Sequence, residues 1–125
     1  MKTPRIRSKN GPEWHSQQEI IKYLRARKWL VAVTNGNRFQ TGFPDLYLAH
    51  AKFGQRWVDV KNAAQYTFTK AQKLTWPKWE KYGVGIWIMT SCEEYDCLFK
   101  PPNWRQYWKK SWDEEPTIDE LLDEI

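Results

Sequence analysis

Cysteine, histidine and methionine are scarce in this chain of 125 residues, at two each. Two cysteines, Cys92 and Cys97, are too few for a disulfide framework, so reduced thiols are expected. Their C-x4-C spacing has no second Cys pair or histidine beside it, which makes it a poor zinc pattern. His15 and His50 belong to no histidine–metal motif and read as surface residues. No apolar run approaches the roughly 18–20 residues that span a membrane. The first ten residues carry Lys2, Arg5, Arg7 and Lys9 with no apolar stretch behind them, so a basic arm is expected rather than a secretory signal. There is neither an internal repeat nor a low-complexity tract.

What remains suits one globular domain: 41% hydrophobic, 28% charged, and nine tryptophans. Most of those tryptophans are expected in the core or at subunit contacts, although tryptophan also stacks on unpaired bases. The net charge of +5 conceals an asymmetry. Residues 113–125 hold seven acids and no Lys or Arg, which leaves 20 bases against 8 acids, or +12, in residues 1–112. A body this basic suits a polyanion, because phosphate contacts release counterions; solubility alone is the plainer reading.

The pattern predicts a helix over 12–28, with Pro12 in its first turn and Ile20, Ile21 and Leu24 at helical spacing. Residues 29–34 read as a strand, and 35–42 as a polar loop. Strands at 45–49 and 55–61 form a hairpin about the turn containing Gly54. A second helix starts near Thr69 and runs toward Tyr82, with Pro77 expected to kink or divide it. Residues 83–90 read as a buried strand, 95–99 as a short edge strand and 103–110 as a helix. At the acidic end, Thr117 and Glu120 fit a capping box. Ile118, Leu121, Leu122 and Ile125 then give one apolar stripe. The expected organisation is a basic arm (1–11), a central domain (12–112) and an amphipathic acidic tail helix (113–125). The element order predicts an α/β sandwich around a mixed sheet.

The hairpin carries the chemistry. With its turn centred near Lys52, position 45 falls opposite position 59. Alternation then puts Asp45, Asp59 and Lys61 on one face, and Leu46, Leu48, Val58 and Val60 on the other. Carboxylates directly opposed across strands repel. A bound Mg²⁺ or Mn²⁺ would reconcile them, since hard cations take oxygen ligands. Lys61 beside them can orient or deprotonate an attacking water, or stabilise charge on a phosphate. The competing reading is an exposed hairpin on which Asp59 and Lys61 pair in solvent.

With Glu13, Gln17, Trp29, the Gly42-Phe43-Pro44-Asp45-Leu46 run, Asp59-Val60-Lys61 and the Thr69-x-x-Gln72 run, the chain resembles the PD-(D/E)xK nuclease superfamily over residues 13–90. Within it the chain looks most like the stand-alone VRR-NUC domains of phages and bacteria, and more distantly like archaeal-type Holliday junction resolvases. Asp59 stands where glutamate is commoner in that family. The resemblance implies a restriction-endonuclease-like fold, a mixed central sheet flanked by helices with an αβββαβ core.

It also implies that Asp45, Asp59, the Val60 carbonyl and a first-helix glutamate hold Mg²⁺ (or Mn²⁺), while Lys61 serves the nucleophilic water and Gln72 borders the site. Gln72 also fits a capping box with Thr69. On a helical wheel with Glu13 at 0°, Gln17 lies at about 40°, Ile20 at about −20°, Leu24 at about 20° and Glu19 about 120° away. Glu13 therefore shares the buried stripe and is preferred to Glu19. Asn35, Arg38, Gln40, Lys70 and Lys73 are candidate DNA contacts. The implied activity is phosphodiester hydrolysis leaving a 5′-phosphate. A homodimer acting on branched DNA such as four-way junctions is the implied form, intracellular and encoded by a phage or bacterium. The alternatives are a nickase or duplex endonuclease without junction preference, a non-catalytic DNA-binding module, and an interaction protein that works through its acidic tail.

Overall fold

The computed structural model describes residues 11–34 and 42–113. Residues 1–10 of the predicted basic arm and 114–125 of the predicted tail helix lie outside the described residues, as does most of the predicted 35–42 loop, with Asn35, Arg38 and Gln40. Helix α1 (Pro12–Ala26) leads into strands β1 (Leu30–Val33), β2 (Leu46–His50) and β3 (Gly54–Val60). Helix α2 (Lys70–Lys81) and strand β4 (Ile86–Met89) follow, and 3-10 turns at Cys92–Phe99, Trp104–Tyr107 and Lys110–Asp113 complete the chain. The sheet order is β1-β2-β3-β4, with β1–β2 and β2–β3 antiparallel and β3–β4 parallel. This is the mixed α/β arrangement expected from the sequence.

Alternation along β2 and β3 sorts the side chains onto two faces. Leu46, Leu48, Val58 and Val60 are fully buried and pack with Ile20, Ile21 and Leu24 of α1. Burying each such side chain is worth about 1.5–3 kcal/mol. The opposite face is covered as well. Ile86 and Ile88 of β4 meet Trp76 of α2, with Phe68 and Trp104, and Trp57 packs against that cluster. The sheet therefore lies between α1 and α2, and the face bearing Asp59 looks into a second, aromatic core.

Several boundaries differ from the sequence expectation. The first helix ends at Ala26 rather than 28, in a left-handed turn. Lys28 has φ 73°. Its N–H donates to the Arg25 carbonyl, and the Trp29 N–H reaches back to the Leu24 carbonyl. This Schellman closure usually recruits glycine, so a lysine there gave no stop signal. Gly83, at φ 84°, closes α2 in the same way. Pro77 does not divide α2, which runs unbroken through it. The predicted edge strand at 95–99 and the helix at 103–110 are instead 3-10 turns. There, Arg56 Nε donates to the Leu98 carbonyl at 2.9 Å, and Trp87 Nε1 to the Lys100 carbonyl at 2.9 Å. These side-chain bonds occupy carbonyls that a strand ladder would have used.

Candidate functional site

The hairpin register centres on Lys52, as the sequence predicts: Leu46 pairs with Val58, Tyr47 with Trp57 and His50 with Gly54. Asp45 stands one residue before β2, facing the last turn of the ladder beside Asp59. Its carbonyl accepts from the Thr34 N–H at 2.8 Å, which continues the β1–β2 ladder. Pro44 then takes the chain out of the strand, and its carbonyl accepts from the Thr34 hydroxyl. The Asp45 carboxylate fills the gap left in the ladder: its Oδ2 accepts from the Val60 N–H at 2.9 Å.

Asp59 is fully buried, and Asp45, Lys61 and Gln72 are 5%, 4% and 6% exposed. Asp59 Oδ1 accepts from the Asp45 N–H at 3.1 Å and from Gln72 Nε2 at 3.3 Å. Lys61 Nζ lies among three oxygens: the Thr67 carbonyl at 2.8 Å, Gln72 Oε1 at 3.0 Å and Asp59 Oδ2 at 2.9 Å. The last contact is an ion pair by distance, but its angles do not make a hydrogen bond, so Asp59 Oδ2 is a buried carboxylate oxygen with no donor aligned on it. Gln72 holds two roles at once. It completes the capping box of α2, accepting from the Thr69 N–H at 3.0 Å while its own N–H donates to Thr69 Oγ1 at 3.1 Å. The same side chain joins Asp59 to Lys61.

This geometry rules out the exposed, solvent-paired hairpin. It also amends the electrostatic argument. Backbone N–H groups of Asp45 and Val60, together with Lys61 and Gln72, compensate the two carboxylates, so their closeness does not of itself require a cation.

Gly42 shows why the approach to Asp45 needs a glycine. Its φ is 87°, and a Cβ there would lie 2.9 Å from Thr75 Oγ1 and 3.0 Å from the Ala71 carbonyl oxygen. Trp76 Nε1 donates to the Gly42 carbonyl at 2.7 Å. The segment entering Asp45 is thus seated directly on α2.

Helix α1 reaches the same end of the sheet. The tight turn at 27–29 sends β1 back along it, so the start of α1 lies toward Val33, whose partner is Leu46. Glu13 is half-buried, Gln17 buried and Glu19 exposed, the orientation the helical wheel predicts. Gln17 Oε1 is buried and has no hydrogen-bond partner among the described residues. The structure joins Asp45, Asp59, Lys61 and Gln72 in one network. Among the described residues, however, no group of three or more His, Cys, Asp or Glu side chains is placed to hold a metal ion. Glu13 is therefore near the right end but does not make a third acidic ligand in this arrangement. Lys70 is exposed on the first turn of α2, and Lys73 lies 4.8 Å from the Trp112 ring centroid. The Thr67 carbonyl, which seats Lys61, carried no sequence signal because any residue presents a carbonyl.

The two acids still suit Mg²⁺ or Mn²⁺ in kind. Their donors are hard oxygens, Asp59 Oδ2 has only the Lys61 ion pair and no aligned hydrogen bond among the described residues, and Mg²⁺ is commonly held by one or two carboxylates plus waters and substrate phosphate. Among the described residues no helix is long and apolar enough to cross a membrane. No protein-family model, no curated protein and no solved structure matches the chain.

Proposed function

We propose that this chain is a metal-dependent endodeoxyribonuclease of restriction-endonuclease-like fold, selective for branched DNA and working as a homodimer. The observation that carries the reading is the buried Asp45–Asp59–Lys61–Gln72 network at the end of the β2–β3 hairpin. Burying four polar or charged side chains is costly unless function or full pairing offsets it. Here Asp59 Oδ2 is held among the described residues by the Lys61 ion pair at 2.9 Å alone, with no aligned hydrogen bond. Asp45 and Asp59, with the Val60 carbonyl, would hold Mg²⁺ or Mn²⁺. When bound, such an ion polarises a phosphoryl oxygen and lowers the pKa of water. Lys61 supplies a positive charge where a phosphorane would become more negative. Gln72 sets the Lys61 ammonium and the Asp59 carboxylate relative to one another. The +12 body draws in the DNA backbone.

A second reading has its own support. Because protein donors already compensate both carboxylates, the network is able to act as a structural clasp in a DNA-binding module that does no chemistry. Labelled four-way junction, flap and linear duplex, incubated with Mg²⁺, Mn²⁺ or EDTA, separate these readings. The nuclease reading expects metal-dependent cuts with 5′-phosphate ends, fastest on the junction, and their loss in Asp59→Asn with DNA binding retained. Equal cutting of all three substrates leaves a nuclease without junction preference. Absence of cutting with every metal, together with no Mn²⁺ uptake by calorimetry, overturns the nuclease reading in favour of the clasp.

A further inference from the structure

A strip of alternating rings and cations leads away from Lys61, and nothing in the proposed catalytic chemistry uses it. Lys61 Nζ lies 4.7 Å from the Phe68 ring centroid. Phe68 contacts Trp112 at 4.7 Å and Trp108 at 5.2 Å. Trp104, Trp108 and Trp112 recur every fourth residue and touch edge to face, at 5.1 and 5.3 Å. Trp104 is buried and anchors the row, whereas Trp108 and Trp112 are half-buried. Lys73 from α2 and Lys109 from the C-terminal segment both approach the Trp112 ring, at 4.8 and 5.5 Å. Lys109 also lies 5.8 Å from the Tyr66 ring. None of Lys73, Lys109 and Lys110 pairs with a carboxylate among the described residues.

We infer that this strip binds single-stranded DNA, with unpaired bases against the outer tryptophans and phosphates on Lys73 and Lys109. Three lysines with no carboxylate partner among the described residues favour a polyanion. The half-buried indoles carry cations on their rings, Lys73 and Lys109 on Trp112 and Arg105 over Trp108 at 5.3 Å. A base stacks there as the flexible side chains turn onto its phosphates, and a duplex cannot do so without fraying. Lys61 and Phe68 are buried, so a strand lies on the outer end of the strip, with the Phe68 ring between it and Lys61. The inference rests on the nuclease reading only for what happens to the bound strand. Binding stands apart from cleavage, and it selects branched or frayed DNA over intact duplex.

The test is tryptophan-fluorescence quenching of the full chain in EDTA, titrated with a twelve-nucleotide oligo(dT), a twelve-base-pair duplex and poly-glutamate. Oligo(dT) should quench and bind more tightly than either competitor. Trp112→Leu should weaken oligo(dT) binding about tenfold, the loss of one stacked base. Lys109→Ala, a surface change that leaves the core intact, should lower the slope of log affinity against log salt by about 0.7. Preference for duplex or poly-glutamate, or an unchanged affinity and salt slope in Lys109→Ala, overturns the inference. Asp59→Asn keeps the binding under this inference. A chain that binds oligo(dT) but never cuts DNA therefore refutes the nuclease and not the strip.

Discussion

Lys61 and Asp59 hold one another in a place where neither would survive alone. Removing one partner of a buried ion pair strands the other, at a cost of about 3–5 kcal/mol. Asp59→Asn and Lys61→Met should each lower urea stability by that order, and the Asp59→Asn/Lys61→Met double variant should lose less than the sum. Additive losses would show that the pair is not coupled. For the same reason, activity tests need a folding check beside them: Asp59→Asn keeps the shape of the side chain and leaves no cavity, but it too takes the charge partner from Lys61. Gly42 is a second residue of this kind. Its left-handed backbone and the Thr75 contact predict that Gly42→Ala destabilises by about 1–3 kcal/mol, read from the denaturant midpoint. Unchanged stability would show that the segment before Asp45 moves freely off α2.

The ends of the helices decide where the network sits. Thr69 caps α2 through Gln72, and Gln72 in turn fixes Asp59 and Lys61. Thr69→Ala should therefore cost about 0.5–2 kcal/mol, as cap losses do. At the other helix, Lys28 bears φ 73°, a conformation that costs an L-residue roughly 1–2 kcal/mol. Lys28→Gly should raise the thermal midpoint by a few degrees, the shift expected of about 1 kcal/mol in a domain of this size. A fall in the midpoint would mean that the Lys28 side chain contributes more than the strain it carries. Cys97 reports on the packing of the 3-10 turn beneath β4. Burial, then Glu94, push its thiol up to about 11 from 9.0. Its neutral form is favoured in the fold, so that stability is whole below pH 9 and lost as pH rises toward 11. Wild-type protein should lose more stability between pH 9 and 11 than Cys97→Ala does, by urea melts at each pH.

For the molecule as a whole, charge is the lever. The acidic residues 113–125 reduce a body of +12 to +5. Deleting them should tighten DNA binding at low salt and steepen its salt dependence. If the tail instead completes a dimer seam, sedimentation should show the deletion variant as a monomer. A variant unchanged in both respects would leave the tail outside either role.

The amino-acid order alone was enough for α1, α2, the four strands and the hairpin register, though not for the 3-10 turns of residues 92–113. Period-2 alternation in Leu46, Leu48, Val58 and Val60 forbids a slip of one residue, which would expose them, and the turn centred near Lys52 fixes the register among the pairings that remain. The same alternation placed Asp45, Asp59 and Lys61 together, and the Thr69–Gln72 spacing announced a cap. The burial of that cluster could not be read in advance. It depends on α2 and Trp76, Trp79, Trp104, Trp108 and Trp112 folding over the second face of the sheet, contacts between residues far apart in the chain. The Thr67 carbonyl, the seat of Gly42 on Trp76 and the left-handed turn at Lys28 were hidden for a related reason. Each is a backbone group, and its partner is chosen by packing in three dimensions rather than by residue type.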